Sequence, residues 1–201
     1  MSSLVPYPEA SKDPPMPSRA SAARSLRDFL GHPQRTACLL TSGVGVGKKF
    51  FLSKFLADEN LPSRWIAFER VRKGGWDFLA TIPGRCIVVV EVCGASAQEV
   101  RSGFGGLRAR LGSKKVVVVH AHIPTSQSVH RALSEICCAT VWLNPLYARE
   151  IQGIVRRKYP SAPSLWKHAS EAFLGGQGNL TRLWTHLDLQ KRFGKGDAAA
   201  L

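Results

Sequence analysis

The most informative part of the sequence is Thr36-Ala-Cys-Leu-Leu-Thr-Ser-Gly-Val-Gly-Val-Gly-Lys-Lys-Phe-Phe-Leu-Ser-Lys-Phe-Leu56. The apolar run at 37–40 predicts a buried strand, and apolar residues at helical spacing over 51–56 predict a helix. Between them lies a glycine-rich loop that ends in two lysines. Such glycines let backbone N–H groups converge on phosphate oxygens, while the helix N-terminus and a lysine add positive charge. The order predicts a strand, phosphate-binding loop and helix.

This loop, residues 42–49, departs from the pattern G-x-x-x-x-G-K-[ST] at two positions. Ser42 stands where the first glycine belongs, and Lys49 stands where a Ser or Thr hydroxyl would hold Mg²⁺. ATP or ADP is the cofactor that the loop would hold, whereas Lys49 makes Mg²⁺ doubtful. The residues predicted to bind the nucleotide here are Gly43, Gly45, Gly47, Lys48 and Lys49.

The chain carries a strong excess of positive charge. Its 28 Lys and Arg residues against 14 Asp and Glu residues give a formal charge of +14 over 201 residues. Nucleic acid is the leading explanation, because Lys and Arg neutralise phosphates, and DNA is favoured over RNA. An anionic membrane surface or an acidic protein partner is the alternative.

The charge is concentrated in two places. Residues 101–115 hold five basic residues and no acidic one, together with a Gly-rich turn and Phe104, which suit stacking and backbone contact with nucleic acid. A solvated, charged helix face is the other interpretation. No spacing here indicates readout of particular bases. The predicted nucleic-acid contacts are Arg101, Phe104, Arg108, Arg110, Lys114, Lys115, Arg156, Arg157 and Lys158.

Cysteine and histidine usage predicts no metal site. The five cysteines are an odd number and three lie in strand-like runs, which indicates an intracellular, reducing compartment, either nucleus or cytoplasm with an organelle left open. The vicinal pair Cys137-Cys138 does not have a metal spacing. His120-x-His122 lacks a third ligand, so we interpret these as strand-end histidines that face a cleft. No apolar run reaches the roughly 18 residues that span a bilayer, so no membrane insertion is expected.

The remaining chain predicts an α/β fold with four segments. We expect a disordered, Pro-rich leader at 1–21, an α/β domain at 22–144, a helical lid at 145–193 and a flexible tail at 194–201. A helix is predicted at 22–30. Further strands are predicted at 64–69, 85–94, 115–121 and 138–143, and lid helices at 147–158, 164–174 and 179–190. The runs of β-branched residues are typical of a parallel sheet covered on both faces, here of five strands flanked by helices.

Glu91 is the candidate catalytic residue. In phosphate-loop enzymes an acidic residue at the end of a neighbouring strand holds Mg²⁺, and a second one usually orients the attacking water. Glu91 ends the third predicted strand, but Val92 follows it, so efficient hydrolysis is doubtful. Alternatively, the carboxylate pairs with a nearby cation, and Lys49 in the place of the metal ion is one such partner.

The order of these parts over residues 22–190 resembles the AAA+ ATPases, and in particular their clamp-loader and replication-initiator branch. The strand 116–120 is similar to the family's first sensor strand. Residues 129–146 look like the clamp-loader stretch that precedes the lid, and Gly178-Asn-Leu-Thr-Arg182 is similar to the second sensor. This resemblance implies that Arg182 contacts nucleotide, although Thr181 occupies the usual arginine position.

The same resemblance places Cys137 at the position of the arginine finger, so the chain should not complete a neighbour's active site there. It therefore implies a degenerate subunit of a replication or repair assembly, in an oligomer with other AAA+ or replication subunits. Such a subunit would bind nucleic acid, hold nucleotide weakly or structurally and hydrolyse it poorly. A basic scaffold that binds nucleic acid without nucleotide is one alternative. An active NTP-dependent motor is another, since viral superfamily 3 helicases are also similar.

Overall fold

In a computed structural model of the protein, residues 16–176 and 178–193 are described, apart from the side chains at 108, 109, 167 and 191–193. The predicted tail lies outside these residues, as does the predicted leader up to residue 15. Among the described helices, none is both long and apolar enough to cross a bilayer.

Sixteen elements follow one another along the described chain. The strands are β1 (Ala37–Ser42), β2 (Ser63–Ala67), β3 (Ile87–Val92), β4 (Val116–Ala121) and β5 (Ala139–Trp142). The α-helices are α1 (Pro17–Gly31), α2 (Lys48–Asp58), α3 (Phe68–Gly74), α4 (Ala97–Phe104), α5 (Leu107–Leu111), α6 (Gln127–Ile136), α7 (Ala148–Lys158), α8 (Pro163–Gly175) and α9 (Leu180–Phe193). Two short 3-10 helices lie at Asp77–Thr81 and Pro124–Ser126.

The five strands form one parallel sheet in the order β2-β3-β4-β1-β5. The central strands are almost wholly buried, as their continuous apolar runs require for a sheet that is covered on both faces. Side chains alternate between two cores: Leu39 and Val118 face one, while Leu40 and Val119 face the other. The predicted fold class, a five-stranded parallel α/β sheet flanked by helices, is confirmed.

The helices cover the two faces unequally. Helices α3 to α6 pack on one face, and α1 and α2 pack on the other. After β1 the chain continues into α2 on one face of the sheet, and after the adjacent β4 it continues towards α6 on the other face. A crevice therefore opens at the carboxyl ends of these two strands, which is where ligands bind in open α/β sheets.

Helix α1 begins earlier than the sequence predicts. It starts at Pro17 instead of residue 22, with proline in the first turn, where its missing N–H costs no hydrogen bond. Its apolar side places Leu26 and Phe29 in the core, and its first turn also buries Ser18 and Arg19. The sequence predicts a later start because residues up to 21 are assigned to a Pro-rich, disordered leader.

Helices α7, α8 and α9 lie where three lid helices are predicted, with bounds close to those expected, and we refer to them as the lid. They pack around a core of their own, made by Leu146, Ile151, Val155, Tyr159, Leu165, Ala169, Phe173, Leu183 and Leu187. Asn179 begins α9 as predicted: its Oδ1 accepts hydrogen bonds from the backbone N–H groups of Thr181 at 2.9 Å and Arg182 at 3.1 Å. The placement of the domain boundaries stays a prediction.

The prediction that Phe104 stacks on nucleic-acid bases was wrong. Its side chain is 4% exposed, and its ring lies 5.5 Å from the ring of Phe68 and 5.3 Å from that of Trp76, between centroids. Val100 and Phe104 are four residues apart on α4, so they share the face that packs onto the sheet. Phe104 is therefore a core residue, and the segment 101–115 is not an open loop.

Candidate functional site

The candidate site lies in the crevice at the carboxyl ends of β1, β3 and β4. The phosphate loop leaves β1 at Ser42 and enters α2 at Lys48, and two glycines make its turn. Gly45 has a φ of +72° and Gly47 a φ of +90°, a region that side chains with a Cβ rarely adopt. The sequence therefore needs glycine at both positions for the loop to close.

The Lys48 ammonium lies inside the loop. Its Nζ donates to Ser42 Oγ at 3.0 Å and to the Gly43 carbonyl at 2.8 Å. Burial, together with the nearby Arg19 charge, lowers the pKa of Lys48 to about 8, and Glu91 opposes this shift. The Lys48 ammonium thus lies where phosphate oxygens would approach. It loses its proton more readily than an exposed lysine does.

Lys49, the next residue, points to β3. Its Nζ lies 2.7 Å from Glu91 Oε2, with the two side chains 56% and 38% exposed. This is the ion pair that the sequence suggested as an alternative to a metal site. The catalytic role of Glu91 stays a prediction.

A buried arginine that the sequence analysis missed holds the other side of the loop. Arg19 is 7% exposed, and its guanidinium donates to the Val46 carbonyl at 2.6 Å and to the Asn144 carbonyl. Burial lowers the pKa of Arg19 to about 10, and Glu150 partly offsets that effect. Arg19 therefore ties α1 both to the phosphate loop and to the chain that leads into the lid. Pro17, a helix-start signal, was the available clue.

The lid also contacts the phosphate loop, through the start of α9. The backbone N–H of Leu180 donates to the Gly45 carbonyl at 2.9 Å. A Cβ built on Gly45 would come within 2.1 Å of Asn179 Oδ1, and one on Gly47 would come within 3.1 Å of Leu180 Cδ1. The first turn of α9 is therefore in direct contact with the phosphate loop.

Arg182, predicted to contact nucleotide, lies on this first turn of α9 with an exposed side chain. Cys137, at the predicted position of an arginine finger, is buried and its pKa is raised by that burial. Its side chain is therefore almost closed to solvent. The nucleotide contact of Arg182 stays a prediction.

A cavity of about 740 Å³ adjoins the loop at Gly47. It lies between α1, α2 and the lid, and its size is ordinary for a small-molecule site. Apolar side chains of the lid form one wall, and Arg24, Lys54 and Asp58 supply polar groups at the other. The lid wall consists of Leu146, Ile154, Leu180 and Trp184.

Histidines gather at the same edge of the sheet. His120 is 6% exposed and its Nδ1 contacts the Val92 carbonyl at 3.3 Å, while its Nε2 has no partner among the described atoms. Burial is the main cause of a lowered pKa at His120 and at His130, whose rings lie 6.4 Å apart. His122 packs edge-on against His130 at 4.7 Å. In the described part of the chain no three such residues are arranged to hold a metal ion.

Most of the cations predicted to contact nucleic acid in 101–115 have protein partners. Arg101 pairs with Glu135 at 3.2 Å, and Arg110 pairs with Asp77. Lys115 donates to backbone carbonyls near the end of α1. The Lys114 side chain is half-buried, and that of Arg108 lies outside the described residues. This segment is therefore less open to a polyanion than its sequence suggests.

The second basic cluster, at the end of α7, is more open. Arg156 and Lys158 are exposed, and their charged groups lie over the rings of Trp166 at 5.5 Å and Trp184 at 4.2 Å. Arg157, between them, is also exposed and has a partner within the protein. Arg156 and Lys158 are therefore exposed cations at the end of the helix, backed by aromatic rings.

Known proteins resemble this chain in fold and not in sequence. No family model matches the sequence, and no curated protein is found to match it. Domain III of the Thermotoga maritima replication initiator DnaA aligns with a TM-score of 0.55 and 18% identity, over 89% of this chain and 87% of that one. The Aeropyrum pernix ORC1 protein, in complex with DNA, gives 0.60 and 11%, over 94% and 64%.

The chain therefore shares the fold of these two proteins. A third structure of this kind, AMPPCP-bound DnaA from Aquifex aeolicus, aligns with a TM-score of 0.56 and 13% identity, over 89% of this chain and 63% of that one. The present chain thus spans less than two thirds of the ORC1 and Aquifex DnaA chains. The resemblance to AAA+ proteins drawn from the sequence is confirmed at the level of fold.

The glycine loop offers a matched pair of substitutions. Gly45→Ala should lower the free energy of unfolding by at least ~1–2 kcal/mol, because alanine is strained at positive φ and its Cβ collides with Asn179. Gly43→Ala should change it by less than ~0.5 kcal/mol, since Gly43 is not at positive φ and its nearest neighbour would be Val46 Cγ2 at 3.7 Å. Urea denaturation measures both, and equal losses would contradict the described contact between loop and lid.

Proposed function

We propose that this protein is a nucleic-acid-associated AAA+-like subunit of a replication or repair assembly, which binds a nucleotide at the phosphate loop and hydrolyses it poorly or not at all. One observation carries the proposal: the loop is intact in shape, with Lys48 inside it and a cavity of about 740 Å³ beside Gly47. The loop amides and Lys48 would hold the phosphates, and the cavity would take the nucleoside.

Two further observations support a nucleotide as the ligand. The Nδ1–H of buried His120 faces the Val92 carbonyl, so its unpartnered Nε2 is an acceptor near Lys48 that a water molecule hydrating a bound nucleotide could satisfy. The Aquifex DnaA structure, similar in fold, holds AMPPCP. ATP or ADP is the nucleotide we expect here.

Poor hydrolysis is supported by the residues around the expected γ-phosphate. Glu91 is engaged by Lys49, and the next residue, Val92, has an apolar, buried side chain that cannot orient water. Cys137 likewise offers no cation to a neighbour's site. An active motor or viral-type helicase is therefore the least favoured alternative.

Association with nucleic acid rests on the net charge of +14 and on the exposed cluster at the end of α7. The ORC1 structure, similar in fold, contains DNA. Helices α7 to α9 would bring Arg156 and Lys158 to the phosphate backbone, without contacts that read bases. A basic scaffold without nucleotide is a second candidate, because the Lys48 ammonium is already satisfied by loop oxygens.

Calorimetry with ATP on the full chain tests the nucleotide proposal. Lys48→Ala should abolish measurable binding. In the wild type, affinity should fall about fivefold between pH 8 and pH 9, because binding requires the ammonium form and the free-state pKa is about 8. The sign follows from linkage: a phosphate raises this pKa, so affinity is highest below pH 8.

Lys48→Arg is the matched control, since a guanidinium stays charged and its affinity should not vary over that pH range. An unvarying wild-type affinity up to pH 9 would contradict the lowered pKa of Lys48, and ATP binding that persists in Lys48→Ala would remove Lys48 from the binding site. Failure of the wild type to bind ATP at any pH would leave the basic scaffold as the function.

The salt dependence of single-stranded DNA binding tests the second cluster. The double variant Arg156→Ala, Lys158→Ala should reduce the slope of log affinity against log salt by about 1.4, or roughly 0.7 for each lost phosphate contact. Arg72→Ala, Lys73→Ala removes equal charge from cations that pair with Glu69 and should leave the slope unchanged. Fluorescence anisotropy measures the slope, and equal slopes in both double variants would contradict a contact at α7.

A further inference from the structure

We infer that the phosphate loop takes its nucleotide without Mg²⁺, because the Lys49 ammonium stands in for the metal ion. The inference rests on the proposed function, since it concerns the form of nucleotide that the same loop binds. The ligand it assigns is a metal-free nucleoside triphosphate, such as ATP⁴⁻.

The residues at the expected metal position do not fit Mg²⁺. A phosphate-loop site holds this ion through a hydroxyl on the first turn of the helix, together with carboxylate oxygen and water. Here the first-turn position is Lys49, whose ammonium has three donors and no acceptor. The Lys49 ammonium pairs with the Glu91 carboxylate at 2.7 Å. The site therefore lacks the hydroxyl ligand for Mg²⁺, and its remaining oxygen ligand, the carboxylate, is already paired with a cation.

The local charge balance suits an anion that arrives without a counterion. Arg19, Lys48 and Lys49 carry three positive charges around the loop, against one negative charge on Glu91 and one on Glu150 beside Arg19. One positive charge therefore remains near the N-terminus of α2, where the helix dipole adds to it. A bound dication would add repulsion with Lys49 at close range, which water screens only partly.

The position of Lys49 also allows it to reach the phosphates. Its side chain is 56% exposed and begins on the first turn of α2, one residue after the lysine that lies inside the loop. Its partner Glu91 belongs to β3, at the same edge of the sheet. The ammonium can share the carboxylate with a phosphate oxygen, as a metal ion bridges such groups in other phosphate-loop sites.

Calorimetric titrations of the wild type should therefore give an ATP affinity in excess EDTA that equals or exceeds the affinity in excess Mg²⁺. A site that depends on Mg²⁺ would bind at least about tenfold more weakly in EDTA, as expected when a bridging dication is removed. Binding that appears only with Mg²⁺ would overturn the inference while leaving the proposed function intact. No binding in either condition would overturn the proposed function itself.

Lys49→Thr is the decisive variant. It restores the hydroxyl and frees Glu91, so ATP binding should become dependent on Mg²⁺, with affinity in EDTA falling at least about tenfold below that in Mg²⁺. Lys49→Met keeps the length of the side chain without charge or oxygen, and it should weaken binding about equally in both conditions. A Lys49→Thr variant that stays independent of Mg²⁺ would contradict the role of Lys49.

Glu91→Gln provides a second readout if either Lys49 variant folds poorly. It removes the negative charge beside Lys49, so affinity for ATP in EDTA should rise and Mg²⁺ should give no increase. A carboxylate that served as a metal ligand would give the reverse, namely a loss of affinity confined to the Mg²⁺ condition. Thermal unfolding of each variant confirms that the compared proteins are folded.

Discussion

The carbonyl groups of the glycine-rich loop must find hydrogen-bond donors outside the loop's own backbone, and this requirement organises the structure. Buried carbonyls without partners are costly, so each one calls for a donor from outside the loop. The Gly45 carbonyl accepts from the backbone of Leu180 in the lid, and the Val46 carbonyl accepts from Arg19 in α1. Earlier in the loop, the Gly43 carbonyl accepts a hydrogen bond from the Lys48 ammonium. The phosphate loop is thus the point at which α1, the sheet and the lid are joined.

This arrangement links the position of the lid to the state of the loop. A ligand at the loop would touch α1, α2 and α9 together, because the cavity beside Gly47 is lined by all three. Arg19 also donates to the Asn144 carbonyl, directly before the lid. A shift of the loop that moves Arg19 would therefore also move the start of the lid. A nucleotide that is held and not turned over would then stabilise one arrangement of these parts.

The parts that the sequence could predict are those with local patterns. Periodicity and β-branched runs located the strands, the glycine spacing located the loop, and Asn179 was recognised as the residue that begins α9. The pairing of Lys49 with Glu91 was foreseeable because a loop after one strand and the end of a nearby parallel strand meet at the same edge. The close contact between α9 and Gly45 was not, since no local pattern encodes it.

Two residues show where local reasoning failed. Phe104 lies in a basic, Gly-rich segment, and only its packing against the rings of Phe68 and Trp76 makes it a core residue. Arg19 follows a Pro-rich stretch, and its burial depends on carbonyls supplied by the loop and by Asn144, far away in the sequence. In both cases tertiary contacts, which a single sequence does not encode locally, override composition.

Amide hydrogen exchange with and without ATP, in EDTA, reports on the loop and on the lid in one experiment. If the loop holds phosphate and the lid rests on it, exchange should slow in two separate segments together, residues 43–49 and residues 178–182. Slowing in neither segment, or only at sites remote from both, would contradict the account that this loop is the ligand-bearing junction of the protein.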